Sequence, residues 1–373
     1  MTDTIREFVR RDLRVAVVPW ALARVLVVGS LALTRFGVDH IEGARRPVQL
    51  GQGLFAWDAA FYRDIAEHGY GAVHSETLRF FPLVPLLSRW LGVVFLGNDA
   101  AALLVVANGS ALLFGALVYR LTRLETGDAP TATRAAWFAA ILPPAMALVL
   151  GYAEATFMLL SVAMFLGLRT RRFGWAVPFG VLAGLARPVG VLLAVPAAIE
   201  AARTWRGATL RDRATRLGAV IAGPVGIGLY LLWVRYAYGD AWLPLSIQNN
   251  RAHRGGFVDP FTRTYDGIRD LVHGDRFGSG LHIVWLAVFV VLIVVLLQRL
   301  PSSYGWYAAA MVVVNLSARN LDSFERYAMS AFPLVLAVAL LTDRPDVERP
   351  VLVVSAAGLV GYSVLGFLGV YVP

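Results

Sequence analysis

Residues 15–33 read VAVVPWALARVLVVGSLAL, an apolar stretch of about the length that a helix needs to cross a bilayer. Only one charged side chain, that of Arg24, interrupts it. Similar stretches recur along the chain, which is 58% hydrophobic and 16% charged. Soluble domains contain about 45–50% apolar and about 25% charged residues. The sequence therefore predicts an all-α, polytopic membrane protein.

Further apolar segments are predicted to span the membrane at about 99–119, 135–150, 153–168, 174–186, 189–202, 217–237, 281–298, 304–318, 327–342 and 351–371. Several are shorter than the roughly 17 residues needed to cross. Flanking residues must continue these helices, or the helices must be broken. Residues 80–97 are also apolar, but they contain two early prolines and Arg89.

The arginines determine the predicted topology, because short cytoplasmic segments are enriched in positive side chains. If residues 80–97 lie in the interface or re-enter without crossing, one side collects most of the arginines. These are Arg6, Arg10, Arg11, Arg14, Arg120, Arg123, Arg134, Arg169, Arg171, Arg172, Arg203, Arg206, Arg211, Arg213, Arg216, Arg299, Arg344 and Arg349. The short turns on the other side hold only Arg187, Arg319 and Arg326.

We therefore predict a single transmembrane domain over residues 1–373, with about eleven transmembrane helices and a cytoplasmic N-terminus. Its outer loops cover about 36–98, with interfacial helices, and about 238–280. The net charge of +9 is explained by this topology, so no nucleic-acid partner is predicted.

The predicted topology gathers several polar side chains on the outer face. They are Asp58, Tyr152, Glu154, Arg187, Asp322, Glu325 and Arg326. Ionisable residues at membrane depth are costly and usually functional. Most of these lie at span ends, and no internal repeat is evident, which disfavours a lipid or glycolipid transporter or flippase. A non-catalytic assembly subunit is the other alternative to an enzyme.

The first outer loop contains WDAAFYRDIAEHGY at residues 57–70. Trp57, Phe61 and Ile65 recur at the spacing of one helix face, which predicts a short interfacial helix. On this helix, Asp58 is either the N-cap of residues 59–67 or a carboxylate that can take a proton from a hydroxyl.

Other side chains of this stretch have two interpretations each. Asp64, Glu67 and His68 are alternative titratable groups or a solvated face. The aromatic residues, including Tyr62 and Tyr70, are either membrane-interface anchors or platforms for a sugar.

Arg187 precedes Pro188, where it can pair a phosphate or cap a helix C-terminus. Glu154 begins a span, where the helix dipole favours a negative charge. Arg326 lies beside acidic residues and can belong to an ion-pair cluster or contact a phosphate. The polar sequence QNNRAHR at 248–254, which includes Arg251, is a plain loop or reads a sugar or lipid phosphate.

The sequence predicts no cofactor. The chain has no cysteine, which excludes disulfides and cysteine-ligated metals. The histidines show no H-x-x-x-H spacing and no D-x-D triplet occurs. Hydrolase, NTPase and dinucleotide-binding motifs are also missing from the sequence.

Five ordered motifs resemble bacterial relatives of the PIG-V type GPI mannosyltransferases, within the GT-C class of polyprenyl-phosphate-sugar-dependent glycosyltransferases. The motifs are Trp57-Asp58 with Tyr62, Ile65-Ala66 and Gly69-Tyr70, Phe80-Phe81-Pro82-Leu83 with Pro85-Leu86, Tyr152-Ala153-Glu154-Ala155 with Phe157, Ala186-Arg187-Pro188-Val189-Gly190, and Ser323-Phe324-Glu325-Arg326-Tyr327 with Phe332-Pro333-Leu334. They cover about 55–335. Many members of the class have two acids in the first outer loop, whereas Ala59-Ala60 follow Asp58 here.

The resemblance implies an inverting transfer of mannose from polyprenyl-phosphate-mannose to a hydroxyl of a lipid-linked or cell-envelope glycan. The reaction would take place on the extracytoplasmic face, in contact with membrane lipids. Another polyprenyl-phosphate sugar is the alternative donor. The resemblance assigns Asp58 as general base and Arg187 and Arg326 to the donor phosphate. We predict Trp57, Tyr62, His68, Tyr152, Glu154 and Arg251 as substrate-binding residues.

Overall fold

The computed structural model describes residues 8–41, 45–251, 253–274 and 279–372 of the chain. Within those ranges the structure is helical, apart from one isolated antiparallel bridge that pairs Phe257 with Ala318. The predicted all-α class is therefore confirmed. Four parts of the sequence predictions lie outside the described residues: Arg6, residues 42–44 and 275–278 of the two outer loops, and Ala252 of the polar loop.

Seventeen α-helices occur in the described ranges. They are α1 (Leu13–Asp39), α2 (Val48–Gln52), α3 (Asp58–His68), α4 (Leu83–Gly92), α5 (Asp99–Thr126), α6 (Ala129–Ile141), α7 (Glu154–Arg169), α8 (Phe173–Ala186), α9 (Ala194–Arg203), α10 (Leu210–Tyr238), α11 (Leu243–Gln248), α12 (Pro260–His273), α13 (Ser279–Arg299), α14 (Ser302–Leu316), α15 (Phe324–Met329), α16 (Pro333–Leu341) and α17 (Pro345–Phe367). Short 3-10 segments connect several of them.

Five of the described helices are long and apolar enough to cross a membrane. They are α1, α5, α10, α13 and α17, with mean hydropathies between 1.8 and 2.3 over their most apolar windows. Eighteen residues of α-helix rise about 27 Å, close to the thickness of the hydrocarbon core. The chain is thus a multi-pass membrane protein, and the predicted number of eleven spans stays a prediction.

Proline breaks several of the shorter predicted spans. A 3-10 segment, Pro143–Leu148, follows α6, and another, Pro188–Leu193, joins α8 to α9. The residue before each proline is extended, with a ψ of 148° at Leu142 and 147° at Arg187. Proline disfavours the helical conformation in the residue before it, which explains why the helices end there. The expectation of broken helices is met.

Residues 80–97 do not form a spanning helix. The helix α4 and the 3-10 segment Val93–Phe95 together rise only about 20 Å, against about 30 Å for the hydrocarbon core. Several large apolar side chains of this segment are exposed, among them Leu86, Trp90 and Leu96. An exposed apolar segment of this length is typical of a helix in the membrane interface.

Glycines let α8 and α10 approach backbone to backbone. A Cβ on Gly184 would overlap the carbonyl oxygen of Gly223, and a Cβ on Gly226 would overlap that of Val181. Small residues allow such close helix packing in membranes, where no hydrophobic force draws helices together. The glycines of α8 and α10 thus allow close packing of this helix pair.

The described residues fall into two compact units. The first comprises residues up to Val73, Val84–Val162 and the residues from Val338 onward. The second comprises His74–Leu83 and Ala163–Ala337. The predicted single transmembrane domain over residues 1–373 stays a prediction.

Each unit has its own polar or aromatic core. In the first, the Arg24 guanidinium donates to Asn108 Oδ1 and to the Leu148 carbonyl oxygen, both at 2.8 Å, which satisfies this intramembrane charge. In the second, the ring of Phe165 packs against Tyr304, with 4.9 Å between ring centroids, and edge-on against Phe332 at 4.9 Å.

Candidate active site

Asp58 is the first residue of helix α3 and not its N-cap. The N-cap is Trp57, whose φ of 58° and ψ of −127° turn the chain into the helix. Its indole Nε1–H donates to the Gly366 carbonyl oxygen at 3.0 Å, which ties the turn to α17. The alternative that Asp58 caps a helix at residues 59–67 is therefore wrong. Its carboxylate stands in the first turn, where the helix dipole favours negative charge.

The backbone of Trp57 is in a conformation that non-glycine residues rarely adopt. Such strain costs on the order of 1–3 kcal/mol and persists only where surrounding contacts hold it. The hydrogen bond to Gly366 is one such contact. The structure thus fixes the direction in which the chain presents Asp58.

Helix α3 packs on the protein through a different face from the predicted one. Its buried residues are Ala59, Tyr62, Ile65 and Ala66, whereas Trp57 and Phe61 are half-buried. Helix α3 packs against the neighbouring helix α5, and burial of this face does not follow the aromatic periodicity. The predicted lipid-facing stripe of Trp57, Phe61 and Ile65 is therefore wrong for Ile65, which points into the protein.

The segment before α7 contacts the start of α3. The Gly151 N–H donates to the Leu54 carbonyl oxygen at 3.2 Å. A Cβ on Gly151 would meet the Ala59 Cβ at 3.5 Å, so only a small residue fits closely here. Because Ala59 follows Asp58 directly, residues 151–154 lie beside the segment that carries the candidate base.

Tyr152 and Glu154 follow Gly151 and are both buried. Glu154 is the first residue of α7, as predicted for an acid that suits a helix N-terminus. Near it, Ser110 Oγ and Thr156 Oγ1 lie 3.0 Å apart within hydrogen-bonding distance. The first unit thus contains two carboxylates, those of Asp58 and Glu154, each in the first turn of a helix. We call these two the acid pair.

Three guanidinium groups surround one tyrosine ring in the second unit. The Cζ atoms of Arg187, Arg254 and Arg326 lie 5.2, 4.7 and 4.4 Å from the centroid of the Tyr327 ring. Arginine stacks well on aromatic faces. These three arginines are called the arginine cluster below. The structure therefore brings Arg187 and Arg326 together, and the outer face predicted for both stays a prediction.

Two members of the cluster are linked by a hydroxyl. Arg187 Nη1 donates to Ser330 Oγ at 3.0 Å, and this hydroxyl donates in turn to the Arg326 carbonyl oxygen at 3.2 Å. The backbone N–H of Arg187 caps α8 by donating to the Ala183 carbonyl oxygen. Its side chain, however, reaches across to α15. The backbone of Arg187 thus caps the end of α8, while its guanidinium belongs to the arginine cluster.

A clasp between two loops holds Arg254 in place. The Val258 N–H donates to the Ser317 carbonyl oxygen at 2.9 Å, and the Asn320 N–H donates to the Arg254 carbonyl oxygen at 3.1 Å. Arg254 Nη2 donates to the Asn315 carbonyl oxygen at 3.2 Å and to its Oδ1 at 3.0 Å. These contacts fix a loop arginine against α14 and direct it to Tyr327.

The arginine cluster is a concentrated positive charge. Burial lowers the pKa of Arg254, and the nearby Arg326 and Arg187 lower it further, while Tyr327 and Asp322 oppose these effects. Holding three guanidinium groups together costs free energy that an anion can recover. Arginine forks match phosphate oxygens bidentately, so the cluster suits a phosphate ligand.

A buried histidine–carboxylate contact supports the helix that carries Arg326. His282 Nδ1 lies 2.6 Å from Glu325 Oε2, and both side chains are buried. The ring of Phe289 packs against that of Phe324, with 5.7 Å between centroids. These two contacts fix α15 against α13. Glu325 thus has a partner in His282 that the sequence did not suggest.

The remaining predicted residues lie in different surroundings. His68 is exposed at the end of α3, with Nδ1 3.2 Å from the Asp64 carbonyl oxygen. Tyr62 is buried in the first unit, and Arg251 is exposed.

Arg254 is the residue that the sequence predictions missed. It lies in the same polar loop as Arg251, three positions later. The sequence offered an arginine of this loop as one possible phosphate contact, but it did not indicate which arginine the clasp would hold. In the described ranges, no group of three or more histidine, aspartate or glutamate side chains is placed to hold a metal ion.

Comparison with known proteins places the chain near one curated relative. It is 29% identical over 233 residues to GPI mannosyltransferase 2 of Chaetomium globosum. The match covers 51% of this chain, which spans about half, 49%, of that relative's length. This similarity confirms the resemblance to GPI mannosyltransferases predicted from the motifs. No family model matches the chain.

Two solved structures are similar in fold. One is the archaeal oligosaccharyltransferase AglB from Archaeoglobus fulgidus, in complex with an inhibitory peptide and a dolichol-phosphate. Its TM-score is 0.48 at 15% identity, covering 97% of this chain and 56% of that chain. The other is ArnT from Cupriavidus metallidurans in the apo state. Its TM-score is 0.49 at 13% identity, covering 83% of this chain and 70% of that chain.

Proposed function

We propose that this chain is a membrane glycosyltransferase of the GT-C class. It transfers mannose from polyprenyl-phosphate-mannose to a hydroxyl of a lipid-linked or cell-envelope glycan, on the extracytoplasmic face. The observation that carries the proposal is the arginine cluster, three guanidinium groups held around Tyr327. The similarity to GPI mannosyltransferase 2 supports the choice of mannose.

The arginine cluster binds the phosphate of the donor. In the donor, the phosphate is a diester with one negative charge. When the bond from the sugar C1 to the phosphate oxygen breaks, the leaving polyprenyl phosphate gains negative charge. Preorganised positive groups stabilise such developing charge and need no reorganisation during the reaction. We assign this role to Arg187, Arg254 and Arg326, because their guanidinium groups converge on one ring.

Asp58 acts as the general base. The acceptor hydroxyl oxygen attacks the sugar C1 from the side opposite the phosphate, and Asp58 takes the hydroxyl proton. One displacement of this kind inverts the configuration and needs no covalent glycosyl-enzyme. Glu154, the second carboxylate of the acid pair, orients the acceptor or a basic partner. Its burial keeps it fixed in the first turn of α7.

The experiment that tests the base compares two carboxylates on one helix. Asp58→Asn in purified protein is expected to lower kcat about 100-fold or more, because a positioned general base contributes typically 10²–10⁴-fold. Glu67→Gln changes an exposed acid of α3 and is the matched control. Thermal unfolding in detergent verifies that both variants fold. Turnover by Asp58→Asn close to that of the unchanged protein would overturn the assignment.

The donor and acceptor are identified by separate measurements. Transfer is assayed with polyprenyl-phosphate-mannose and with polyprenyl-phosphate glucose, galactose and arabinose as competing donors. Mass spectrometry of envelope glycolipids after deletion of the gene is expected to show an accumulated acceptor that lacks one hexose. Loss of a different sugar would exclude mannose. Unchanged glycolipids would contradict the glycosyltransferase itself.

A further inference from the structure

Helix α12 carries an exposed apolar stripe. Phe261 and Tyr265 are 88% and 68% exposed, and Ile268 and Val272 are each 50% exposed. Their spacing of four, three and four residues places all four side chains on one face of a helix. Soluble surfaces rarely expose so many large apolar groups along one line. The stripe therefore indicates a partner that is itself apolar.

The start of α12 is well defined. The Asp259 side chain caps the helix by accepting from the backbone N–H groups of Phe261 at 3.1 Å and Thr262 at 2.9 Å. Pro260 occupies the first turn, where its missing N–H is no loss. A helix that is capped in this way holds its exposed face in a fixed direction.

The opposite face of α12 packs on the spanning helix α13. A Cβ on Gly267 would overlap the side chain of Ile283, and Arg263 is buried on the same side. Because protein covers this face, the apolar stripe points away from the second unit. The flank between the two faces is polar and includes Asp266 and Arg269, which lie 4.0 Å apart.

The lipid bilayer is the occupant that fits this arrangement. Helix α13 begins beside α12 and exposes Val284, Val288 and Val291 along one line within a membrane-crossing segment. The apolar surface of the spanning helix therefore starts on the turn that follows Ile283, the residue packed against Gly267. A helix with one apolar stripe and a charged flank next to such a surface lies in the headgroup region.

We propose that α12 lies in the membrane interface, with Phe261, Tyr265, Ile268 and Val272 inserted among the lipids and Arg269 in water. The loop clasp places Arg254 only seven residues before Phe261. Insertion of α12 therefore sets the depth of this loop and holds Arg254 at the height of lipid phosphates. This last consequence rests on the proposed function, whereas the insertion does not.

The chain contains no cysteine, so a single introduced cysteine can be labelled without background. Ile268→Cys and Arg269→Cys carry a nitroxide label in the full chain, reconstituted into phosphatidylglycerol–phosphatidylethanolamine vesicles. Power saturation measures collisions with oxygen, which concentrates in lipid, and with a water-soluble nickel chelate. The label at 268 is expected to favour oxygen, and the label at 269 the nickel chelate. Tyr265→Cys and Thr262→Cys form a second pair if the first does not fold.

Equal access of the nickel chelate to positions 268 and 269 would overturn the insertion. Dipolar broadening between labels at 268 would overturn it as well, because it would show that a second copy covers the stripe. These measurements do not depend on sugar transfer. An inactive protein that inserts α12 contradicts only the proposed function, and an active protein that leaves α12 in water contradicts only this inference.

Discussion

Replacing Arg254 with glutamine removes one of the three guanidinium charges around Tyr327 and keeps a polar side chain in the clasp. In the unchanged protein, Arg254 Nη2 donates to Asn315 Oδ1, and the Arg254 Cζ lies 4.7 Å from the Tyr327 ring centroid. The proposed function assigns this group to the donor phosphate. The change is therefore expected to weaken catalysis at the donor while it leaves the helices unchanged.

The size of the catalytic effect follows from the lost contact. A hydrogen bond to a charged group contributes about 1.5–3 kcal/mol. At about 1.4 kcal/mol for each tenfold change, kcat/KM for the donor is expected to fall about 10- to 150-fold. If the guanidinium acts more strongly in the transition state than on the bound donor, most of this loss appears in kcat.

The same substitution is expected to leave the stability of the fold unchanged or to raise it, although it lowers activity. The three guanidinium groups lie near the same ring, so no two of them are more than about 10 Å apart. At that separation two like charges repel by about 1.7 kcal/mol for an effective dielectric constant of 20. Partial exposure of Arg254 reduces this value. Glutamine keeps an N–H donor for Asn315, so only the charge-assisted part of these two bonds is lost, about 1 kcal/mol each. The thermal midpoint is therefore expected to stay the same or to rise.

The assay measures initial rates of mannose transfer at varied donor concentration, together with thermal unfolding in the same detergent. Arg269→Gln is the matched control, because it removes an exposed arginine of the same predicted outer loop. A donor kcat/KM that is equal in Arg254→Gln and Arg269→Gln would refute the role of Arg254. Loss of activity together with a large drop in the thermal midpoint would show that Arg254 serves the fold and not the phosphate.

Two further predictions concern stability. Gly226→Ala places a Cβ against the Val181 carbonyl oxygen and is expected to cost about 1–3 kcal/mol of unfolding free energy, whereas Gly228→Ala on the same helix meets nothing within 4 Å and is expected to be neutral or stabilising. Equal thermal midpoints of the two variants would contradict the close packing of α8 and α10. Hydrogen bonds from the side chain and backbone of Thr131 hold the pKa of Asp128 below its ordinary value of 3.8, so this carboxylate stabilises the start of α6 above that pH. Asp128→Ala is expected to lower the thermal midpoint at neutral pH, and the difference should disappear as the pH falls through the lowered pKa; a difference that is independent of pH would contradict the cap.

The sequence determined the elements whose cause is local. Apolar length predicted the spanning helices, and the shortness of several segments predicted broken ones. The structure puts these breaks at prolines, because proline acts on its own turn and on the residue before it. The excess of arginine identified the side expected to be cytoplasmic. The order of short motifs identified the resemblance to GPI mannosyltransferases. It also named Asp58, Glu154, Arg187 and Arg326 without any contact being known.

The cap of α3 shows where local reasoning fails. Aspartate is a preferred N-cap residue, so Asp58 was a reasonable candidate from the sequence. The structure places Trp57 at that position instead, with a backbone conformation that is costly in isolation. The Trp57 indole donates to the carbonyl oxygen of Gly366, which lies in a helix more than 300 residues later in the chain. No local pattern contains this contact.

The arginine cluster was decided only by tertiary structure. Arg187, Arg254 and Arg326 come from three separate parts of the chain. No local sequence pattern predicts that their guanidinium groups meet around the Tyr327 ring. Arg251 and Arg254 are equivalent in the sequence, because both lie in one polar loop. The clasp between the loop and residues 315–320 half-buries the second and leaves the first exposed. Amino-acid type thus set which residues can bind a phosphate, and long-range packing set which of them converge.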